Sequence, residues 1–398
     1  MKETVLVTGG SHAEIPLINA LHSLGFFVIS TGMNTDGLGH RQADLYIPAD
    51  YSDKDIVLHL AKEYRVKGIV SGCNDFAYLS TSYACQCLRI GGHDNYQTSE
   101  QIHHKNTFRS ILKKNNLPYP NFQLCSTKED VEKAKDVLRL PVLVKPTDLT
   151  GGKGVALCCN WKQVFEQLDV AYSVTRQPFV LLEERIEGSN HGVSVLIKEK
   201  RVCFAFFDNE EYFLNPYLVS GAYTPSDLKE HVKREIINQI EILTGNLKLC
   251  DGLFHCQCIV SHDGTPYLID PCRRAPGDLY IKLVSYATGI DYPMAIVKSE
   301  LGLSFDDEMH YQKMNRNIAR ECIMTDRNGV VSDILIDEEY DRHIIDRLQW
   351  GKPGDIIDDY LKYKAGIVFF EYPTFEELRD KMKTLNQHMK IKVITDTH

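Results

Sequence analysis

The apolar run Val142-Leu143-Val144 ends on Lys145. Its length and β-branched character predict a buried strand, and an ammonium at the end of such a strand is costly unless it meets an anion. Just beyond lies Thr150-Gly151-Gly152-Lys153-Gly154. Its glycines permit backbone conformations closed to other residues and can bring N–H groups against a ligand. Strand, lysine, glycine flap and second lysine together make a device for holding a polyphosphate. The plain alternative is a hairpin loop with two solvated lysines. The flap is not a Gly-x-x-x-x-Gly-Lys-Ser/Thr loop opening a helix, because Val155 to Cys158 reads as a second strand.

Other residues with chemical capacity follow. Glu183 and Glu184 close an apolar strand, and Asp270 to Tyr280 carries Arg273, Arg274 and Asp278. Their ordinary alternatives are a solvated strand end and a turn capped by Asp270. His103 and His104 are adjacent and cannot share a helix face, so they make no metal pair. Cys85-Gln-Cys87 and Cys256-Gln-Cys258 lack zinc spacing, and the twelve scattered cysteines read as reduced and buried in a cytosolic protein. Gly9-Gly10 follows the first strand, yet Gly-x-Gly-x-x-Gly is missing, and the second strand ends on Ser30-Thr31-Gly32 rather than an acid. A nicotinamide dinucleotide site is therefore not expected. Gly10, Asn74 and Asp75 sit in loops at the C-terminal ends of strands, where small ligands bind in open α/β sheets, although turn chemistry alone also accounts for them.

The positioning elements begin with a β-α-β unit: Thr4 to Thr8, Ile15 to Leu24 and Phe26 to Ser30. Ser52 is placed to cap the next helix, and Gly68 to Val70 is a third strand. One helix is expected from Thr98 to Asn116, carrying Lys105. Residues 122–184 read β-α-β-β-α-β, with Ser126 and Glu129 as a capping box and Asn160 as a second cap. A hairpin from Val193 to Phe207 precedes the aromatic stretch Asp208 to Thr224, read as a substrate loop or an irregular packed segment. A helix (Leu228 to Leu243), an antiparallel pair (Gly252 to Ile269) and a hairpin-rich end after Ser304 complete the chain. At 398 residues, with 43% hydrophobic and 25% charged residues, several globular domains are expected. The net charge of −9 without a basic block argues against nucleic acid or a membrane surface as a partner. No apolar run is long enough for a membrane span, and the N-terminus shows no signal-peptide pattern.

The order of these parts resembles the ATP-grasp superfamily over nearly the whole chain. It is most similar to the carboxylate–amine ligase branch of carbamoyl-phosphate synthetase halves, biotin carboxylase and L-amino-acid ligases. Gly351-Lys-Pro-Gly-Asp355 resembles the C-terminal region of the biotin-carboxylase type. The resemblance implies an α/β fold, α+β in the lid. Its parts are an N-terminal parallel-sheet domain (1–98), a connecting helix (99–121), a lid (122–185), a large subdomain (186–303) and a β-rich C-terminal lobe (304–398).

The resemblance also implies site roles. Lys105, Lys145 and the flap (Thr150, Gly151, Gly152, Lys153, Gly154) would contact ATP phosphates. Glu183 would accept from the adenine amino group, with the backbone of Glu184 and Ile186 on the ring edge and Asn190 on the ribose. Mg²⁺ would be held by Asp270 and more weakly by Gln257, where the family has Glu; Cys272 stands where the family has Asn. Arg274 would stabilise the transferred phosphoryl group, and Arg273, Tyr212 and Tyr217, with the loops at Gly10 and Asn74-Asp75, would line the substrate pocket. The implied reaction activates a carboxylate as an acyl phosphate, which an amine then attacks to give an amide, ADP and phosphate. Small carboxylates and amines are the implied partners, and homodimers are usual among such enzymes. Gln257 and Cys272 motivate a second reading, an ATP-binding regulatory or partner protein that has lost turnover.

Overall fold

The computed structural model describes residues 2–149 and 152–394. It is a mixed α/β fold built on five sheets. The N-terminal sheet is parallel, with Leu45–Ile47, Phe27–Thr31, Thr4–Thr8 and Gly68–Ser71 in that spatial order. Val5, Val7, Val28 and Val70 on one face and Leu6, Ile29 and Ile69 on the other are buried, as parallel strands covered on both faces require.

The expected β-α-β opening is present, and Glu14 explains its departure from a dinucleotide fingerprint. Glu14 lies at the N-terminus of helix Ile15–Ser23 and is buried. Its carboxylate accepts from Ser11 N (2.7 Å), Ser11 Oγ (2.6 Å) and Cys73 N (2.7 Å). The chain's own acid thus fills the place where a helix N-terminus would meet a phosphate.

Several expected boundaries move. Asp53, not Ser52, caps helix Lys54–Glu63, because its carboxylate accepts from Asp55 N and Ile56 N. The expected helix from Thr98 to Asn116 is two helices, Tyr96–His103 and Lys105–Lys114, broken at His104 in extended conformation. The break frees Lys105 N to donate to Thr147 O (3.1 Å), and Thr107 Oγ1 satisfies the carbonyls of Gln101 and His104. The capping box belongs to Thr127 and Asp130 rather than Ser126 and Glu129.

Residues 122–184 keep the β-α-β-β-α-β order, in an antiparallel sheet of Phe122–Cys125, Val180–Glu184, Val142–Pro146 and Ala156–Cys158. A second antiparallel sheet orders Arg201–Phe207, Gly188–Lys198, Gly252–Ser261 and Pro266–Cys272. The aromatic stretch is neither a loop nor irregular throughout. Asn209–Tyr212 and Val219–Thr224 pair and join Asn317–Ile323, Gly366–Tyr372 and Ile344–Gln349 in a five-stranded sheet. Ile356–Ile357, Gly329–Ile336 and Met389–Ile394 form the last sheet. All twelve cysteines are free, and Cys87, Cys159 and Cys203 are exposed rather than buried. Among the described residues no helix is long and apolar enough to cross a membrane.

Glu14→Ala should lower the free energy of unfolding by about 1–3 kcal/mol, since three donors at two loops lose their acceptor. A urea titration followed by circular dichroism measures this; an unshifted midpoint would mean that water replaces the carboxylate at no cost.

Candidate active site

Lys145 ends its buried strand at an anion supplied by the chain. Its Nζ lies 2.6 Å from Glu183 Oε1. The other oxygen of Glu183 accepts from Arg109 Nε at 2.7 Å, and Arg109 Nη1 donates to Ile269 O at 2.7 Å. Arg109 is 0% exposed and Glu183 2%. Burial by itself would raise the Glu183 carboxyl, but the charges of Arg109 and Lys145 outweigh it and hold it down at about 2. This corrects the adenine contact expected of Glu183: both oxygens are taken, and the carboxylate aims the lysine instead. Glu184 is engaged within the protein as well. Its side chain accepts from Asn121 Nδ2 and Arg139 N, and its own N–H is spent on Asn121 O.

Lys105 is buried, one turn before Arg109 on the same helix face. Its Nζ reaches Leu149 O at 3.0 Å and Asp270 Oδ2 at 3.2 Å. Lys105, Lys145 and Asp270 line a cavity of about 680 Å³, within the usual range for a ligand cleft. Leu143, Leu157, Ile186, Ile259 and Ile269 give it an apolar wall suited to a planar ring, and Asn190 lies beside them. Gly152 lines this cavity at φ +68°, and a Cβ there would lie 2.7 Å from Tyr217 Cβ, so the flap seats directly on the Tyr217 loop. Gly154 packs on Pro146 and Val174, and Lys153 is exposed, so neither lines the cavity. Thr150 and Gly151 lie outside the described residues.

A second cavity of about 190 Å³ shares Lys105, Glu210, Tyr217, Gln257 and Asp270 with the first. Its far side holds Asp75, His255, Arg274, Tyr280 and Arg320. Arg274 is fixed by Asp75, with Nε–Oδ1 at 2.8 Å, and Asp75 also meets His103 Nδ1 at 3.2 Å. Although burial opposes it, Arg274 and His103 hold the Asp75 carboxyl well below its usual range. His255 is pushed down to about 3, first by burial and then by the Arg274 charge, so it stands neutral.

Three expected substrate contacts are corrected. Gly10 is packed against the His40 ring and lines neither cavity, Asn74 caps helix Asp75–Leu88 through Phe76 N, and Arg273 is buried against Asp94 (2.7 Å). Tyr212 and Tyr217 do line the larger cavity.

A cation would be held here by Asp270. Asp270 Oδ1 is buried with no partner, and a hard oxygen of that kind suits Mg²⁺ beside phosphate oxygens. Gln257 offers a cation only its neutral amide oxygen. Its Nε2 donates to both oxygens of Glu210 at 3.1 Å, which only the amide NH₂ can do. Cys272 is a buried thiol, pushed up to about 11 by burial, and its Sγ faces Arg274 O. Gln257 owes its place to a ladder that slips between Cys256 and Cys258, opposite Ile269 and Asp270, a bulge beside the site.

Sequence reasoning missed Arg109, Glu210 and Arg320. Arg109 was detectable as the residue four after Lys105. Asp278, in the turn Gly277-Asp278-Leu279, gathers His12 (3.6 Å), Lys364 (2.5 Å) and Arg320 (3.9 Å), and it takes φ +53° with Leu279 at +56°. Non-glycine residues rarely adopt this conformation outside constrained sites.

An ATP-grasp domain model matches residues 102–274. The uncharacterized protein y4rH of Sinorhizobium fredii is 22% identical over 281 residues, 69% of this chain. The matched stretch spans 56% of that relative, little more than half its length. Three solved structures share the fold across 99% of this chain. L-amino acid ligase from Bacillus licheniformis has a TM-score of 0.83 at 21% identity, covering 99% of that chain. Phosphoribosylglycinamide synthetase from Anaerococcus prevotii has 0.79 at 20%, covering 100%. The biotin carboxylase domain of Hydrogenobacter thermophilus 2-oxoglutarate carboxylase, in complex with MgADP, ADP and bicarbonate, has 0.78 at 16%, covering 92%.

Glu183→Gln keeps the shape of the buried triad and leaves two cations uncompensated. It should cost about 3–5 kcal/mol in chemical denaturation. Because the folded carboxyl is held below 4.5, the wild-type ion pairs stabilise the fold above that pH and lose this contribution as pH falls toward about 2. The variant should lack that component of the acid transition.

Proposed function

We propose that this chain, a member of the ATP-grasp superfamily, is an ATP-dependent ligase that joins a small carboxylate to an amine. The observation that carries the reading is convergence. Lys105, Lys145, Asp270 and Arg274, drawn from separate elements, line two cavities that share five residues. Each of the three cations is paired with a carboxylate that fixes its direction.

ATP would occupy the larger cavity, its base on the apolar wall and its phosphates toward Lys105, Lys145 and the backbone of the glycine flap. Mg²⁺ held by Asp270 would supply neutralisation of phosphate charge. The carboxylate would lie where the cavities meet, within reach of Arg274, whose guanidinium would stabilise charge on the transferring phosphoryl group. The flap, seated on Tyr217, would keep water from the acyl phosphate. The amine would then displace phosphate and form the amide. An idle nucleotide binder is less well supported, because Lys105, Lys145, Asp270 and Arg274 all stand along the two joined cavities.

ADP release from Mg²⁺–ATP should depend on a carboxylate and an amine together, with the twenty amino acids serving as both. Lys145→Met and Arg274→Ala should each lower kcat by about 10²–10³. A Lys145→Met protein turning over at the wild-type rate would overturn the reading.

A further inference from the structure

We propose that Glu210 accepts the proton that the amine must lose before it attacks the acyl phosphate. The assignment rests on the ligase reading above and names a residue for its second half. Glu210 is one of the five residues common to both cavities, so its carboxylate stands where nucleotide space and the inner cavity meet. Asp270, the other shared acid, is paired with the Lys105 ammonium. Glu210 has no cation within ion-pair distance among the described residues. Instead, neutral donors orient it: Tyr212 OH at 2.5 Å and Gln257 Nε2 at 3.1 Å.

The groups around it come from every adjoining element. Asp208 and Tyr212 lie on its own segment, and Gln257, His255 and Cys258 on strand Gly252–Ser261. Asp270 and Lys105 line the shared wall, with Tyr280 from helix Tyr280–Thr288 and Arg320 from strand Asn317–Ile323. Asp208 is itself engaged by Tyr280 OH and by Gly192 N at 3.1 Å.

The step balances. An ammonium proton passes to the Glu210 carboxylate, and the freed nitrogen lone pair forms the C–N bond. The bond from the acyl carbon to the phosphate oxygen breaks, phosphate leaves with that electron pair, and a further nitrogen proton goes to the departing phosphate.

Hydroxylamine separates this role from the first half-reaction, because it is largely unprotonated at neutral pH and traps acyl phosphates as hydroxamates without needing a base. Wild-type protein, Glu210→Gln and Glu210→Asp are assayed with Mg²⁺–ATP and the twenty amino acids, for hydroxamate with added hydroxylamine and for dipeptide without it. In Glu210→Gln the ratio of dipeptide to hydroxamate should fall about 100-fold or more at pH 7, and recover at higher pH where the amine loses its proton unaided. Glu210→Asp should fall between the two. An unchanged ratio, or an equal loss of both products, overturns the assignment; the latter would place Glu210 in phosphoryl transfer. No hydroxamate from wild type would instead overturn the ligase reading itself, and this assignment with it.

Discussion

The buried triad of Lys145, Glu183 and Arg109 is the constraint on which the site depends. Three charges withdrawn from water persist only if each is matched, since a lone buried ion costs several kcal/mol. Glu183 satisfies two cations from different elements, one on its neighbouring strand and one on helix Lys105–Lys114. Arg109 then extends the link to Ile269 O, next to Asp270. The ammonium of Lys145 and the carboxylate of Asp270 are thereby referred to one rigid centre before any ligand arrives. This is preorganisation: the cost of desolvating and aiming the charges falls on folding rather than on binding.

Much of this was legible in the chain. The strand ending in Lys145 and the β-α-β-β-α-β order of residues 122–184 followed from strand and helix patterns with their caps, while Asp270 and Arg274 stood out through resemblance. What was not legible depends on pairing across long separations. Arg109 looks like a surface residue on an amphipathic helix until Glu183, 74 positions later, is folded against it. Glu210 lies in an aromatic stretch without clear alternation, and its sheet is completed by strands about a hundred residues downstream. The break at His104 leaves no proline or glycine signal; it exists because a tertiary contact, Lys105 N to Thr147 O, competes with the helix. Nothing local shows that the amide of Gln257 faces another acid.

The N-terminal sheet shows how one substitution of chemistry redirects a common architecture. Its parallel sheet has the strand–turn–helix geometry that elsewhere receives a phosphate, but Glu14 fills that position and ties two loops together. The helix that follows this sheet's last strand contributes to the site through Asp75, which sets the angle of Arg274.

The five-stranded sheet has a consequence for how this protein can be divided. The hairpin bearing Glu210 hydrogen-bonds to Asn317–Ile323, and that strand in turn to Gly366–Tyr372. The last quarter of the chain is therefore not a detachable module. A recombinant that exchanged this region for that of a relative would remove the ladder partner of the cleft's inner wall, so variation there is coupled by register to the face that lines the cavities. Shuffling and truncation are tolerated only at junctions that leave this pairing whole.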